Sequence, residues 1–295
     1  MTSADDFSVA FHVGAHKTAT SHLQWSLRDA SAALADRGVR YYGPAHFRLP
    51  GRSIQRLFGL RGKPHRHKRS PQDQLALLRK GAQRLVLSEE NYIGVLNSPR
   101  PKTVKLRYPE AATRVNALAR AMDAGQIDVF LGIRNPATFL ASAYSQMLLG
   151  GRLMTFDQFL ELSPLASVNW LSLVKRFCRA AGVRSVTVWQ YEDYEALFDQ
   201  ICSAMVGADA ADVVKPINER VHPGFSRAAV DHILSQKGAE DVAALTQAAR
   251  SRYPTGKEYA AFDGFNAADH ARAAEVYAKH IAGIKALPKV TLLQP

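Results

Sequence analysis

The sequence predicts an α/β fold with three layers, α/β/α, in which helices cover both faces of a central, mainly parallel sheet. Two observations favour this fold. Short apolar runs that suit buried strands alternate with segments of helical periodicity about ten to twenty residues long. Polar and charged side chains follow several of these runs, at the edge where parallel sheets collect their ligands. The functional residues are therefore expected at the carboxyl ends of the strands.

Four strands are predicted, each from an apolar run that ends in polar or turn-forming residues. They cover residues 7–14, 83–91, 127–136 and 185–193. Helical spacing of apolar residues predicts the helices between and after them. These cover residues 20–36, 113–125, 137–151, 169–183, 226–236 and 269–284. Turn residues support the boundaries, since Gly38 follows the first helix and Asn135-Pro136 ends the third strand.

Most of the positive charge lies in one segment. The chain has 295 residues and a formal net charge of +12, and the stretch between Asp36 and Asp73 holds ten lysine or arginine residues and no acid. Glycine, proline and low apolarity predict a basic mobile loop at about 48–72. We expect it to belong to a single domain, residues 1–295, whose part from about 205 to 295 is mostly helical. Such a loop either attracts an anionic partner or only improves solubility, and the sequence leaves both open.

Several features bear on the compartment and on excluded partners. The chain has no apolar run of about eighteen residues, so we expect no membrane span, while peripheral association stays open. Acids near the start do not suit a signal peptide, and Cys178 and Cys202 have no metal-ligand or disulfide pattern, so a reduced, cytoplasmic setting is expected. No zinc or ribonucleoprotein motif supports specific nucleic-acid binding. The oligomeric state is left open.

The segment "GAHKTATS" (14–21) joins the first strand to the first helix. Gly14 allows a tight turn, and the unpaired N–H groups of the helix start, with the helix dipole, form an anion site. Lys17 adds a full charge, and hydroxyls come from Thr18, Thr20 and Ser21. The alternative is that these hydroxyls only cap the helix. His16 stands where a nucleotide-triphosphate loop has glycine, so this is not the standard loop.

The same segment resembles the loop that binds the 5′-phosphosulfate in sulfotransferases that use 3′-phosphoadenosine 5′-phosphosulfate (PAPS). The match covers Gly14, Lys17, Thr18, Thr20, Ser21 and Leu23. His16 lies within the loop, and Ala19 replaces the family's usual glycine. A second match, "IRNPATFLASAY" (133–144), resembles the family's 3′-phosphate motif through Arg134, Pro136, Ser142 and Tyr144. A weaker one is the strand end "VTVWQYED" (186–193), where Tyr191 would either lie near the adenine or pack under the sheet.

The resemblance implies a nucleotide-kinase-like, P-loop-related topology and transfer of the sulfuryl group of PAPS to a hydroxyl or amine. PAPS would be the co-substrate, released as adenosine 3′,5′-bisphosphate, and no divalent metal would be required. Lys17 would stabilise charge on the leaving phosphate, and the loop residues from Gly14 to Ser21 would hold that phosphate. Arg134 and Ser142 would hold the 3′-phosphate.

A base must take the proton of the acceptor, and "LVLSEENY" (85–92) places two acids where the second strand ends. Bacterial members of the family often have a Ser-x-Glu pattern at this strand. We therefore assign the base to Glu90 and expect strand alternation to turn Glu89 away. His22 and His16 are rival bases, and His46 is a more remote one.

The acceptor is not specified by the sequence, although the basic loop favours an anionic or polyhydroxylated one, such as a carbohydrate or lipid-linked sugar. Arg220 or Arg227 could close over the cofactor, but the sequence favours ordinary charges on helix surfaces for both. Two other functions stay open: an ATP-dependent small-molecule kinase of related fold, and a non-catalytic protein that binds anionic polymers.

Overall fold

Six parallel strands form one sheet in the computed structural model of the protein, which describes residues 7–61, 69–97, 103–123, 125–218, 224–236, 238 and 240–295. The strands are β1 (Ser8–His12), β2 (Val39–Tyr42), β3 (Arg84–Ser88), β4 (Ile127–Ile133), β5 (Val183–Gln190) and β6 (Val290–Leu292). Every pairing is parallel, and the spatial order is β2-β3-β1-β4-β5-β6. The predicted α/β class with a parallel sheet is thereby confirmed.

The sheet order defines where a ligand site is expected. The connection that leaves β1 runs to β2 on one side of the sheet, and the connection that leaves β4 runs to β5 on the other. Strands β1 and β4 are neighbours, with His12 paired to Phe130. Because the chain turns in opposite directions after these two strands, a crevice forms between their carboxyl ends, which is the usual ligand site of such sheets.

Helices cover both faces of this sheet. The described residues contain α1 (Thr20–Asp29), α2 (Ser31–Asp36), α3 (Pro44–Phe47), α4 (Ile54–Leu57), α5 (Pro71–Arg79), α6 (Ala111–Met122), α7 (Pro136–Leu149), α8 (Phe156–Leu162), α9 (Trp170–Arg179), α10 (Tyr194–Val206), α11 (Ala208–Ala211), α12 (Arg227–Ser235), α13 (Val242–Arg252) and α14 (Ala267–Lys285). Single helical turns follow β3 at Glu90–Tyr92 and β5 at Tyr191–Asp193.

Two apolar clusters give the fold its three layers. Helices α1, α2 and α10 pack on one face of the sheet, and Leu23 and Ile201 are fully buried there. Helices including α6, α7 and α9 pack on the other face, where Leu118 and Phe177 are fully buried. All seven residues of β4 are buried, as expected for a central strand covered on both faces.

The structure corrects several predicted elements. The helix predicted over 20–36 is two helices that meet at Ala30. Strands β2 and β6 were not predicted. The basic segment, expected as a mobile loop at about 48–72, is largely exposed up to residue 61 but contains helix α4, which anchors it: Ile54 and Phe58 are each only 1% exposed. Residues 62–68 of that segment lie outside the described residues.

Two findings bear on the predicted setting. No helix within the described ranges is long and apolar enough to cross a membrane. Both cysteines are free; Cys202 is buried in α10, whereas Cys178 in α9 is half-buried. Burial raises the pKa of both thiols, that of Cys202 to about 12, so neither has the character of a reactive thiolate.

Candidate functional site

The loop between β1 and α1 is tightly folded. Gly14 has a φ of 59°, and a Cβ at this position would lie 2.9 Å from the Thr20 hydroxyl oxygen. The hydroxyls of Thr18 and Thr20 are buried and donate to the Ala15 carbonyl at 2.6 and 3.1 Å. These two hydroxyls therefore shape the loop from inside, and their protons do not point towards a ligand as the sequence suggested.

The start of α1 carries the donors that the loop offers outwards. Among the described residues, no group accepts a hydrogen bond from the N–H of Thr20, Ser21 or His22. Helix starts with free N–H groups and the positive end of the helix dipole attract anions. The half-buried Ser21 adds a hydroxyl at the same helix start. The anion site that the sequence predicts thus has its backbone donors in place.

Two residues of the loop have left-handed backbones. Lys17 has a φ of 65° and Ala19 a φ of 59°. A residue with a Cβ pays about 1–2 kcal/mol for this conformation, so the loop stores strain. Ala19 occupies the position where the resembling sulfotransferase loop has glycine. The methyl group therefore imposes a backbone cost at this position.

Lys17 lies among other cations. Its Nζ donates to Oε1 of Gln146 at 3.4 Å. Burial, followed by the charges of Arg134 and Arg250, lowers the pKa of Lys17 to about 8. A bound anion would relieve this repulsion. Three positive side chains from distant parts of the sequence therefore converge on one place.

Arg134 follows the last residue of β4 and reaches the loop. Its Nη1 donates to the Lys17 carbonyl at 2.9 Å, and its Nε donates to the Thr138 hydroxyl at 2.9 Å. Among the described residues Nη2 has no hydrogen-bond partner, so one corner of the guanidinium remains for a ligand. The guanidinium carbon lies 4.2 Å from the ring centroid of Tyr191, so the arginine covers one face of this ring.

Helix α7 presents a polar face between Arg134 and Lys17. Thr138, Ser142 and Gln146 are four residues apart, so they lie on one face of the helix. The first of them contacts Arg134 and the last contacts Lys17. Ser142 is half-buried between them and makes no side-chain hydrogen bond to any described residue. Ser142 thus lies on the helix face that borders the site, whereas Thr138 and Gln146 were not singled out from the sequence.

Glu89 and Glu90 share one arginine. Arg48 donates to both oxygens of Glu89, at 3.1 and 2.9 Å, and to Oε1 of Glu90 at 2.6 Å. Gln24 donates to the other oxygen of Glu90 at 2.9 Å. The expectation that Glu89 turns away is wrong, because β3 ends at Ser88 and strand alternation no longer applies beyond it. Neither Arg48 nor Gln24 was expected here.

Burial acts to raise the pKa of Glu90, but the opposing effects are larger, and the positive charge of Arg48 is the strongest of them. The pKa of Glu90 therefore lies below the ordinary carboxyl value. Glu90 is therefore ionised at neutral pH and able to accept a proton. It is a weak base while Arg48 remains paired with it.

The histidines of the loop have structural partners. The Tyr108 hydroxyl accepts a hydrogen bond from the backbone N–H of His16 at 3.2 Å and donates one to the Nδ1 atom of the His16 ring at 2.9 Å. The proton of the ring is therefore on Nε2, which donates to Oδ1 of Asn91 at 3.2 Å. Burial lowers the pKa of His16, so the ring is neutral. Tyr108, distant in sequence and with a φ of 52°, was not predicted to hold the loop.

The rival base His22 is directed elsewhere. Its Nε2 donates to the Ile217 carbonyl at 2.9 Å, and its Nδ1 accepts from the Tyr194 hydroxyl at 2.8 Å. Both ring nitrogens are therefore engaged on the α10 side of α1. The structure gives His22 no contact with Glu90 or Lys17, so its position does not support a role as the base. His46 lies on α3, stacked edge-on against Tyr42.

The C-terminal part contributes a cation that the sequence did not single out. Arg220 lies outside the described residues. Arg227 packs over Phe262, with 4.6 Å from the guanidinium carbon to the ring centroid, and donates to the Asp263 carbonyl. Arg250 of α13, which had no sequence motif, instead acts on the pKa of Lys17.

Helix α14 supports the site from behind. Tyr277 donates its hydroxyl to Glu192 at 3.0 Å, and the other Glu192 oxygen accepts the backbone N–H of Asn135 at 2.9 Å. Asn135 is the residue after Arg134 and caps α7. The C-terminal helix is thereby tied to the turn that carries the arginine.

The assembled site contains the start of α1, three cations and a pair of carboxylates. The carboxylates follow β3, which is the neighbour of β1 in the sheet. It can bind an anionic group at β1 and β4 and accept a proton beside β3. Within the described ranges, no group of three or more histidine, cysteine, aspartate or glutamate residues could hold a metal ion.

Comparison with known proteins finds a similar solved structure. A sulfotransferase from Alicyclobacillus acidocaldarius is similar over 72% of this chain and 86% of that chain, with 20% sequence identity and a TM-score of 0.42. No family model matches the chain, and no curated protein matches it. A likeness at this TM-score does not establish a function, which has to be inferred from the residues of the site.

Proposed function

We propose that the chain is a sulfotransferase that takes the sulfuryl group from PAPS and transfers it to a hydroxyl or amine of an acceptor. The observation that supports this most is the hydrogen bond from Arg134 to the Lys17 carbonyl at 2.9 Å. It joins two motifs that are 117 residues apart into one basic site. The resemblance assigns these motifs to the two phosphates of a single nucleotide, and such an assignment requires them to be adjacent.

The residues present fit such a donor. The free N–H groups at the start of α1, with Lys17, suit the phosphate of the phosphosulfate. The remaining corner of the Arg134 guanidinium and the Ser142 hydroxyl suit the 3′-phosphate, which an ATP-binding site does not need to hold. Tyr191 lies under Arg134 and is only half-buried, which suits contact of its ring with the adenine.

PAPS, when bound, supplies a sulfuryl group on a phosphate that leaves as adenosine 3′,5′-bisphosphate. Lys17 then stabilises the negative charge that develops on the phosphate side of the breaking bond. Gln146 orients the ammonium group, and Arg250 adds positive field. With these cations present, the residues perform the charge stabilisation that magnesium performs in phosphoryl transfer, so the proposal requires no divalent metal.

Glu90 accepts the proton of the acceptor in this proposal. Its lowered pKa keeps it ionised, and weakening of its pair with Arg48 as the acceptor enters would increase its basicity. In the kinase alternative, a magnesium ion on Glu89 or Glu90 would have to displace Arg48 from both carboxylates.

Calorimetric titration tests the donor assignment. We expect adenosine 3′,5′-bisphosphate to bind more tightly than ADP by at least about tenfold, since a second phosphate contact contributes roughly 1.5–3 kcal/mol. Lys17→Ala should abolish sulfate transfer from labelled PAPS, whereas Lys175→Ala, an exposed lysine on α9, should not. Preference for ADP with magnesium-dependent phosphoryl transfer would replace this proposal by the kinase.

A further inference from the structure

A cavity of about 420 Å³ lies beside the edge strand β2, apart from the cations of the donor site. Three cations line it, one from the segment after α3 and two that flank α5: Arg52, Arg69 and Lys80. Its volume falls within the range of roughly 300–1,000 Å³ that is usual for small-molecule sites. The cavity therefore has room for a small ligand of its own.

The three cations have no anionic partner in the part of the chain that the structure describes. None of the ion pairs found there involves Arg52, Arg69 or Lys80. No described acidic residue lines the cavity. The three exposed charges have one sign, so they give the cavity a positive potential that attracts an anionic group.

Part of the remaining lining is apolar, beside the polar side chains of His46 and Gln74. Leu57, Leu77 and Leu78 contribute to the wall, and Leu77 keeps 45% of its surface exposed. An exposed leucine gains free energy when a hydrocarbon surface covers it. The combination suits a molecule with an anionic head and an apolar body, and it suits an unsubstituted sugar less well.

The sheet order places this cavity in line with the proposed reaction. The order β2-β3-β1-β4 puts the cavity at β2, the carboxylates after β3, the Lys17 loop after β1 and Arg134 after β4. His46 lines the cavity, and Arg48, two residues further on, binds both carboxylates. Neighbouring strands are about 4.8 Å apart, so β2 lies about 10 Å from β1.

We propose that this cavity anchors the acceptor, and that the acceptor is an amphiphilic anion whose reactive hydroxyl lies about 10 Å from its anionic group. The inference rests on the proposed function for the identity of the ligand as acceptor. Binding of such an anion to the cavity does not depend on catalysis, so it can be measured alone.

Calorimetric titration with 8-hydroxyoctanoate, without PAPS, tests the binding. We expect the wild-type chain to bind this hydroxy acid and to bind octane-1,8-diol, which lacks the anion, at least about tenfold more weakly. The double variant Arg52→Gln/Arg69→Gln should weaken 8-hydroxyoctanoate binding by at least about tenfold. Leu77→Gln, at an exposed position, should weaken it as well.

A matched control variant also loses two positive charges, at the amino ends of strands rather than at the cavity. Arg120 and Arg179 are exposed and lie in the last turns of α6 and α9, which lead into the amino ends of β4 and β5. Arg120→Gln/Arg179→Gln should leave the affinity unchanged. Equal weakening in both double variants, equal binding of acid and diol, or absence of binding to the wild-type chain would overturn the proposal.

Titration of the same samples with adenosine 3′,5′-bisphosphate separates the two proposals. Unchanged bisphosphate affinity in Arg52→Gln/Arg69→Gln shows that the variant is folded and that its loss is local to the cavity. Wild-type chain that binds bisphosphate but no hydroxy acid refutes the cavity assignment alone. Wild-type chain that binds the hydroxy acid but no bisphosphate refutes the sulfotransferase and leaves the cavity as an anion site.

Discussion

Under the proposed function, the lowered pKa of Lys17 makes the affinity for the nucleotide depend on pH in a way that can be calculated. With a pKa of about 8, about nine-tenths of the free protein carries the Lys17 charge at pH 7 and about one-tenth does at pH 9. Only the charged form attracts the phosphate, so binding of adenosine 3′,5′-bisphosphate should weaken by about tenfold, or about 1.4 kcal/mol, over this range. Affinity is therefore full below the pKa and is lost as the pH rises through it.

Three neighbouring groups, His16, Tyr108 and Glu90, do not titrate in this window. Burial lowers the pKa of His16 and raises that of Tyr108, and the pKa of Glu90 is lowered, so each keeps one charge state between pH 7 and 9. The nucleotide phosphates have a second pKa of about 6 and are nearly fully ionised throughout. The expected change therefore belongs to Lys17.

Calorimetry in two buffers with different ionisation enthalpies gives an independent reading. Because a bound phosphate restores the charge of Lys17, about half a proton should be taken up for each nucleotide bound at pH 8. The control is Lys17→Arg, which stays charged, and it should show neither proton uptake nor weakening up to pH 9. A wild-type affinity that is flat from pH 7 to 9, or a decline of the same size in Lys17→Arg, would refute the assignment.

Three further predictions follow from single contacts. Arg134→Lys should weaken adenosine 3′,5′-bisphosphate binding by roughly ten- to a hundredfold, because a lysine lacks the planar fork for the 3′-phosphate. In the same titration, adenosine 5′-monophosphate binding should stay nearly unchanged. Equal losses for both nucleotides would contradict this. Glu90→Gln should lower kcat by about 10²–10⁴ without changing the KM for PAPS, and an unchanged kcat would move the base elsewhere. Ala19→Gly removes the Cβ from a left-handed residue, so it should stabilise the fold by roughly 1 kcal/mol, or about 2–4 °C in Tm by calorimetry. The control Ala76→Gly, at an exposed position inside α5, should lower Tm. A lower Tm for Ala19→Gly would show that the loop is not strained there.

The strong apolar runs made the central strands predictable from sequence. Strand β4 is apolar over nearly its whole length because both of its faces are covered, and such a run is hard to mistake. Strand β2, "VRYY", has only four residues and includes a charge, and β6 has only three. Edge strands of this kind take their structure from a neighbour rather than from their own composition, so their sequences carry little information.

The site was predictable where chemistry is local in the chain. Lys17 and Arg134 each stand in a short motif at a strand end, and their meeting follows from the sheet order. Tyr108 and Arg250 have no such motif, because long-range folding alone brings them to the loop. The direction of the Thr18 hydroxyl depends on a backbone turn that spacing does not reveal.

The link from Tyr277 through Glu192 to Asn135 connects the C-terminal helix to the turn that carries Arg134, although no motif in the sequence of that helix indicates such a connection. Loss of the Tyr277 hydroxyl would remove this support from the turn that carries Arg134 and, under the proposed function, would weaken nucleotide binding. A substitution in a stretch without recognisable motifs would thereby change the ligand affinity of this protein, although every residue that contacts the ligand stays the same.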